Sequence, residues 1–356
     1  MPGIPLAILS ITLLATTALS FAVPHLSLAP NIPSIPSLPS IPNIAELLPD
    51  QPLYTRPTHP ITTILAIGDS YTAGEGANGF PDYIASSANC DRYKQSWPLQ
   101  LIADPAWDSF NGKKPALVFG ACSGATMNDL IANQLQLGVP NASEAYTKIG
   151  KPQIAVMTIG GNDADFFGAI NACILHLSPS LPCSQKLTSI SAHLASPAFA
   201  TALATTLATI LTTARAAGGA VPPESFELYV AGYVPFFNTH NPVCDNVSFS
   251  IHGDGVPKLT TELRKSLNAV VEEFNGVLEG VARAMRPWGV FWVDVDGWSK
   301  GWGGHRFCEH TAAEGEVWFW GGEGDGGGDV RRVFHPKGVG YKVFAEAFLE
   351  AVRGNR

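Results

Sequence analysis

The chain has 356 residues, a formal net charge of −8, 46% apolar and 15% charged residues. Mild acidity with few basic clusters argues against nucleic-acid binding. The length from Ile61 onward suits one large α/β domain around one core.

Met1 to Ala22 is apolar and rich in Ser and Thr, has no acidic residue, and ends in the small-x-small triplet Ser20-Phe21-Ala22. That is the pattern of a secretory signal peptide, with an N-terminal membrane anchor as the alternative because Lys and Arg are missing. Residues 23–60 repeat Ile-Pro-Ser and Leu-Pro-Ser. Proline at nearly every third position forbids a helix or central strand, so this is an extended linker or propeptide-like tail before a domain at 61–356. No membrane span is expected once the signal is removed.

Apolar β-type runs follow at 61–67, 116–119, 154–159, 226–234 and 290–295. Between them, residues 188–217 read as helix up to Gly218-Gly219. Leu259, Leu263, Leu267, Val270, Val271, Phe274, Leu278, Val281 and Met285 form one apolar stripe on a long helix. A shorter helix spans Gly338 to Val352. Strands alternating with helices predict a mainly parallel sheet covered on both faces, a flavodoxin-like three-layer α/β/α sandwich. The glycine-rich stretch 315–328 holds Trp318, Phe319 and Trp320. It predicts irregular structure, either a surface insertion or a mobile apolar flap over the site.

Six cysteines, Cys90, Cys122, Cys173, Cys183, Cys244 and Cys308, are an even number in an exported chain. Disulfides are expected over free buried thiols, and the sequence alone allows about 15 pairings. The triplets Asn141-Ala142-Ser143 and Asn246-Val247-Ser248 permit glycosylation in a eukaryotic secretory route.

The run 61–67 stops abruptly at Gly68-Asp69-Ser70, which puts a hydroxyl at a strand's carboxyl end, where open α/β sheets bind ligands. Ala121-Cys122-Ser123-Gly124-Ala125-Thr126 and Thr158-Ile159-Gly160-Gly161-Asn162-Asp163 each follow a strand-like run. Phe334-His335-Pro336 precedes the last helix. These blocks supply a nucleophile, amide or N–H donors and a base, the minimum for acyl transfer to water.

Four blocks in this order resemble the GDSL/SGNH hydrolase family, in its secreted esterase/lipase branch, over roughly residues 61–352. The resemblance implies Ser70 as nucleophile and His335 as general base. It implies an oxyanion hole from the backbone N–H groups of Ser70 and Gly124 and the side-chain amide of Asn162. It also implies bridges Cys90–Cys122, Cys173–Cys183 and Cys244–Cys308, and catalysis without metal or organic cofactor. In the family an aspartate commonly lies three residues before the histidine; here that position is Arg332. A guanidinium cannot accept from imidazole, so the backbone carbonyl of Arg332 is preferred as the ring's orienter over the carboxylate of Asp329.

Two rival sites exist. Gly297-Trp298-Ser299-Lys300-Gly301 matches a nucleophile elbow, but Trp302-Gly303-Gly304 is a poor start for the helix an elbow needs. His305, Cys308, Glu309 and His310 could ligate zinc, yet Cys308 is wanted for a disulfide. The expected function is a secreted, monomeric serine esterase or lipase. The alternatives are a carbohydrate O-acetyl esterase or acyltransferase with the same site, and a non-catalytic binding protein on a hydrolase fold.

Overall fold

A computed structural model describes residues 41–78, 82–84, 87, 89–139, 148–249, 257–298, 301–309, 316–321 and 330–355. The signal-peptide segment, residues 23–40, the Asn141 sequon, Ser299, His310, residues 322–328 and Asp329 lie outside these described residues.

Five apolar runs become strands: β1 (Thr63–Gly68), β2 (Ala116–Phe119), β3 (Ile154–Thr158), β4 (Glu227–Ala231) and β5 (Val290–Val293). All pairings are parallel, in the order β2-β1-β3-β4-β5. Ile64, Leu65, Ala66 and Ile67 are fully buried, and every residue of β3 is buried. Continuous burial rather than alternation is what a parallel sheet covered on both faces demands. The order reverses direction between β1 and β3, the topological switch point where such sheets bind ligands.

Helical layers flank the sheet. In one, α1 (Trp97–Ala103) packs on α2 (Gly338–Gly354), with Trp97 stacked on Phe348 at 4.2 Å between ring centres. The other contains α3 (Cys183–Leu194), α4 (Pro197–Ala216) and α5 (Thr261–Ala284). On α5 the expected stripe is buried: Leu267, Val270, Val271, Phe274, Leu278 and Val281 all face the core. The helix starts where the Thr260 side chain accepts from Leu263 N at 3.3 Å. Of the described helices, α4 is long and apolar enough to cross a membrane, but it is a core helix with Leu203, Leu207, Ile210 and Leu211 fully buried.

Three expectations need correction. The helix read over 188–217 is two helices, α3 and α4. Pro197 lacks the N–H a continuous helix needs, and Ser196 caps the new start by accepting from Phe199 N at 3.2 Å. The linker does not run free to residue 60. Ile44 and Leu48 are buried, Tyr54 N donates to Pro287 O and Arg215 donates to Gln51 and Pro52, so residues 41–60 belong to the domain. Proline prevented regular structure there but not packing. Finally, residues 316–321, the described part of the stretch 315–328, are tied down by backbone bonds. They run antiparallel to the His335 segment: Trp320 N donates to His335 O, Phe334 N to Trp320 O, and Lys337 N to Trp318 O. Phe319 is buried against Trp302 and Phe307.

The bridges Cys90–Cys122, Cys173–Cys183 and Cys244–Cys308 are all formed. Asn246 is exposed.

Candidate active site

β1 ends at Gly68, whose φ is +130° and where a Cβ would stand 2.1 Å from Thr158 O. Only glycine fits that approach. The Gln134 side chain pins the same residue, accepting from Gly68 N at 2.8 Å and donating to Gly68 O at 2.9 Å. The chain then turns into α6 (Ser70–Ala73), capped by Asp69, which accepts from Tyr71 N at 3.1 Å. Ser70 therefore stands at the carboxyl end of β1.

His335 arrives from the other end of the sequence, and its Nε2 lies 2.8 Å from Ser70 Oγ. For Nε2 to accept that proton, the ring's own hydrogen must sit on Nδ1. The neighbouring residue is held through both of its backbone polar groups. Phe334 has φ +65°, unusual for a bulky residue. Its N–H goes to Trp320 O, and its carbonyl accepts from Tyr71 Oη at 2.8 Å. Because Tyr71 adjoins Ser70, that last bond ties the serine segment to the histidine segment.

Burial pulls the His335 imidazole down from 6.5 to about 4, while the carbonyls of Val333, Arg332 and Arg331, in that order, oppose the fall. A neutral ring at physiological pH is the form that can take a proton. Among the described residues Nδ1 has no hydrogen-bond partner. The Arg332 carbonyl accepts the backbone N–H of His335 at 2.9 Å and is also one of the three carbonyls that act on the ring. The carbonyl with most influence on the ring is that of Val333. The Arg332 guanidinium points elsewhere, 4.5 Å above Trp320.

The other two blocks sit at neighbouring strand ends. Gly124 follows β2, is exposed, and a Cβ there would meet open space. Asn162 follows β3, and its Nδ2 donates to Ala125 O at 2.9 Å, leaving a second hydrogen. Among the described residues nothing accepts the backbone N–H of Ser70 or Gly124. An open cleft lies between, lined by Ser70, Asn162 and His335 with Phe166, Phe167, Ile170, Phe236 and Val333.

Sequence reasoning missed several supporting residues. Glu75 is fully buried and accepts from Ser123 Oγ at 2.7 Å and Tyr93 Oη at 3.0 Å, fixing the residue before Gly124. Burial pushes its carboxyl up. Asp69, Thr158, Thr72 and Tyr233 form a second buried group. The signal for both acids was their place beside Gly68-Asp69-Ser70, in an otherwise apolar stretch.

The rival sites fare worse. Residues 301–304 after the elbow form a turn, not a helix, and Ser299 itself lies outside the described residues. Of the metal cluster, Cys308 is in a disulfide, Glu309 accepts from Asn238, and His305 Nδ1 meets Glu316 O at 2.7 Å. No group of three or more potential ligands is arranged for a metal among the described residues.

Comparison with known proteins places this geometry. The GDSL-like Lipase/Acylhydrolase family profile matches residues 66–343. A lipase from Streptomyces rimosus is 27% identical over 247 residues, 69% of this chain and 74% of that protein. Lipase 1 of Streptomyces coelicolor is 31% identical over 132 residues, 37% of this chain and 41% of that protein. The crystal structure of the extracellular lipase from S. rimosus superposes with a TM-score of 0.55 at 23% identity, covering 82% of this chain and 99% of that one. Phospholipase A1 from Streptomyces albidoflavus gives 0.55 at 22%, covering 83% and 100%. These two structural likenesses speak for the fold. With its profile matched from β1 into the last helix, the chain belongs to the GDSL-like lipase/acylhydrolase family and is a carboxylic ester hydrolase.

Proposed function

We propose that Ser70 is the nucleophile and His335 the general base of this hydrolase. The observation that carries the reading is the 2.8 Å contact between Ser70 Oγ and His335 Nε2 at the carboxyl end of β1. His335 takes the serine proton as Oγ attacks the ester carbonyl. The oxyanion is received by the N–H groups of Ser70 and Gly124 and the free hydrogen of Asn162 Nδ2, each donor contributing on the order of 3 kcal/mol. The imidazolium then protonates the leaving alkoxide, and a water activated by the same ring releases the acid. The reaction needs no metal or organic cofactor. The Val333 carbonyl, with Arg332 and Arg331 behind it, supplies the negative dipole that a carboxylate would otherwise provide, so the pair works as a dyad.

The substrate is an ester with an apolar acyl chain. Phe166, Phe167, Ile170, Phe236 and Val333 offer such a chain a surface, beside the polar groups of the proposed pair, Asn162 and Arg331. That favours a lipase or esterase over a carbohydrate O-acetyl esterase. The enzyme is exported, in keeping with three disulfides and an extracellular relative from S. rimosus. It acts as a monomer, its catalytic unit begins near residue 41, and Asn246 is the described candidate for glycosylation.

A fluorophosphonate probe with nitrophenyl esters from acetyl to palmitoyl tests this reading. Ser70 should carry the label, Ser70→Ala should not be labelled, and medium or long chains should be preferred. Labelling at Ser299, or none, would remove the assignment.

A further inference from the structure

Tyr233 lies two residues past β4, and its hydroxyl touches two separate blocks of the site. It donates to Asp69 Oδ2 and accepts the backbone N–H of Gly161 at 3.0 Å. Asp69 immediately precedes Ser70, and Gly161 immediately precedes Asn162. One oxygen atom therefore bridges the nucleophile segment and the amide segment.

Tyr233 is itself fixed. Its N–H donates to Asn275 Oδ1 at 2.9 Å and its carbonyl accepts from Asn275 Nδ2 at 2.7 Å. Its ring meets Tyr71 edge-on at 4.9 Å and Phe274 at 5.3 Å. A Cβ on Gly161 would come within 2.9 Å of the ring carbon and hydroxyl, which explains a glycine there. Tyr233 is 2% exposed and Asp69 1%, so water does not replace either bond. On its other oxygen Asp69 accepts from Thr158 Oγ1 at 2.8 Å and from Tyr71 N, and Thr158 is in turn bonded to Thr72. The carboxylate is thus a rigid anchor, and the tyrosine hydroxyl transmits its position to the peptide carrying Asn162.

We infer that Tyr233 is a positioning residue: its hydroxyl sets the distance between Ser70 and the Asn162 amide. The inference rests on the roles proposed above for those two residues. Charge on the substrate oxygen appears only after attack, so misplacing one donor weakens the tetrahedral intermediate and leaves substrate binding alone. Loss of the hydroxyl frees the Gly161 N–H and the Asp69 oxygen to shift. A displacement near 1 Å can cost about 10²-fold in rate.

Tyr233→Phe keeps the ring and removes both bonds. With an octanoyl nitrophenyl ester, kcat should fall about 10- to 100-fold while KM stays within about twofold. Phenylboronic acid, which forms a tetrahedral adduct on serine, should lose affinity by the same factor as kcat/KM. The unreactive ether analogue of the substrate should bind unchanged. Asp69→Asn keeps the side-chain shape and, with its oxygen held by Tyr71 N and Thr158, sets an amide N–H2 against the hydroxyl in place of its acceptor, so the tyrosine proton loses its partner and the variant should show the same split. It carries the test if Tyr233→Phe fails to fold by circular dichroism. Adding Tyr233→Phe to Asp69→Asn should cost less than about twofold more, because the two act through one link. A kcat within twofold of wild type in the folded single variant, a loss confined to KM, or additive losses would overturn the inference. Fluorophosphonate labelling of wild type keeps the failures apart. No label on wild-type Ser70 sinks the dyad itself, whereas labelled wild type with an unaffected Tyr233→Phe sinks only the positioning role.

Discussion

Acidification separates the two titrating groups of the site, because burial moves them in opposite directions. His335 is pulled from 6.5 down to about 4, and Asp69 is pushed from 3.8 up to about 6 against bonds from Tyr233, Thr158 and the backbone of Tyr71 and Thr72. The neutral imidazole is the favoured folded form. Its stabilisation is complete above 6.5 and is lost as pH falls through about 4. The interval corresponds to about 3 kcal/mol. For Asp69 the sign reverses: its contribution is present below 3.8 and is lost as pH rises through about 6, again by about 3 kcal/mol. Between roughly pH 4 and 6 the two offset each other, so wild-type melting temperature should be nearly level in that window. His335→Ala removes one side of the balance. Its melting temperature should rise relative to wild type as pH is lowered from 7 to 4.5, read by calorimetry. In the active enzyme, the acid limb of kcat/KM should lie clearly below 6.5, since the base stays unprotonated there. An acid limb at 6.5 or higher, or a His335→Ala variant whose melting temperature follows that of wild type with pH, would refute the reasoning.

Ser70→Ala should lower ester hydrolysis by about 10³-fold or more with the fold intact, while Ser299→Ala should stay within about twofold, measured on a nitrophenyl ester. Opening Cys244–Cys308, which spans 64 residues, should destabilise by about 4 kcal/mol, against about 3 kcal/mol for Cys173–Cys183, which spans 10; denaturant melts of Cys-to-Ser pairs rank them. Arg332→Ala should keep most of its kcat and lose stability, because the side chain stacks on Trp320 and only the backbone adjoins His335. Asp329→Ala should also keep most activity, and a loss of about 10²-fold in the folded variant would restore a triad.

All five strands and the long helix α5 were legible because their signals are local. An apolar run bounded by Gly or Pro, or a stripe at three and four, needs no knowledge of partners. The proposed pair of Ser70 and His335 came instead from a family resemblance carried by four short blocks, each closing or opening a recognisable element. The Ser196-Pro197 break was written in the sequence but masked by the Ala, Leu and Thr around it. Tyr233 and Gln134 could not be read, since their roles exist only through chain closure: Gln134 reaches Gly68 across 66 residues and Tyr233 reaches Asp69 across 164. The packing of residues 41–60 was hidden likewise. Proline spacing states what a segment cannot form, and says nothing of the groove beside Arg215 and Pro287 that receives it.

The short ladder between residues 316–321 and 334–337 has a consequence for how this scaffold can change. It fixes the chain on one side at Trp320 and on the other at Phe334, both bonded to each other and both touching the backbone of the base or its neighbour. Whatever sequence joins the two arms through 322–329 leaves and returns at set points. Lengthening such a connection is cheap, about 0.6 kcal/mol for each doubling. A change of sequence between the two arms therefore leaves the backbone bonds at Trp320 and Phe334 in place, and with them the register of His335 on Ser70.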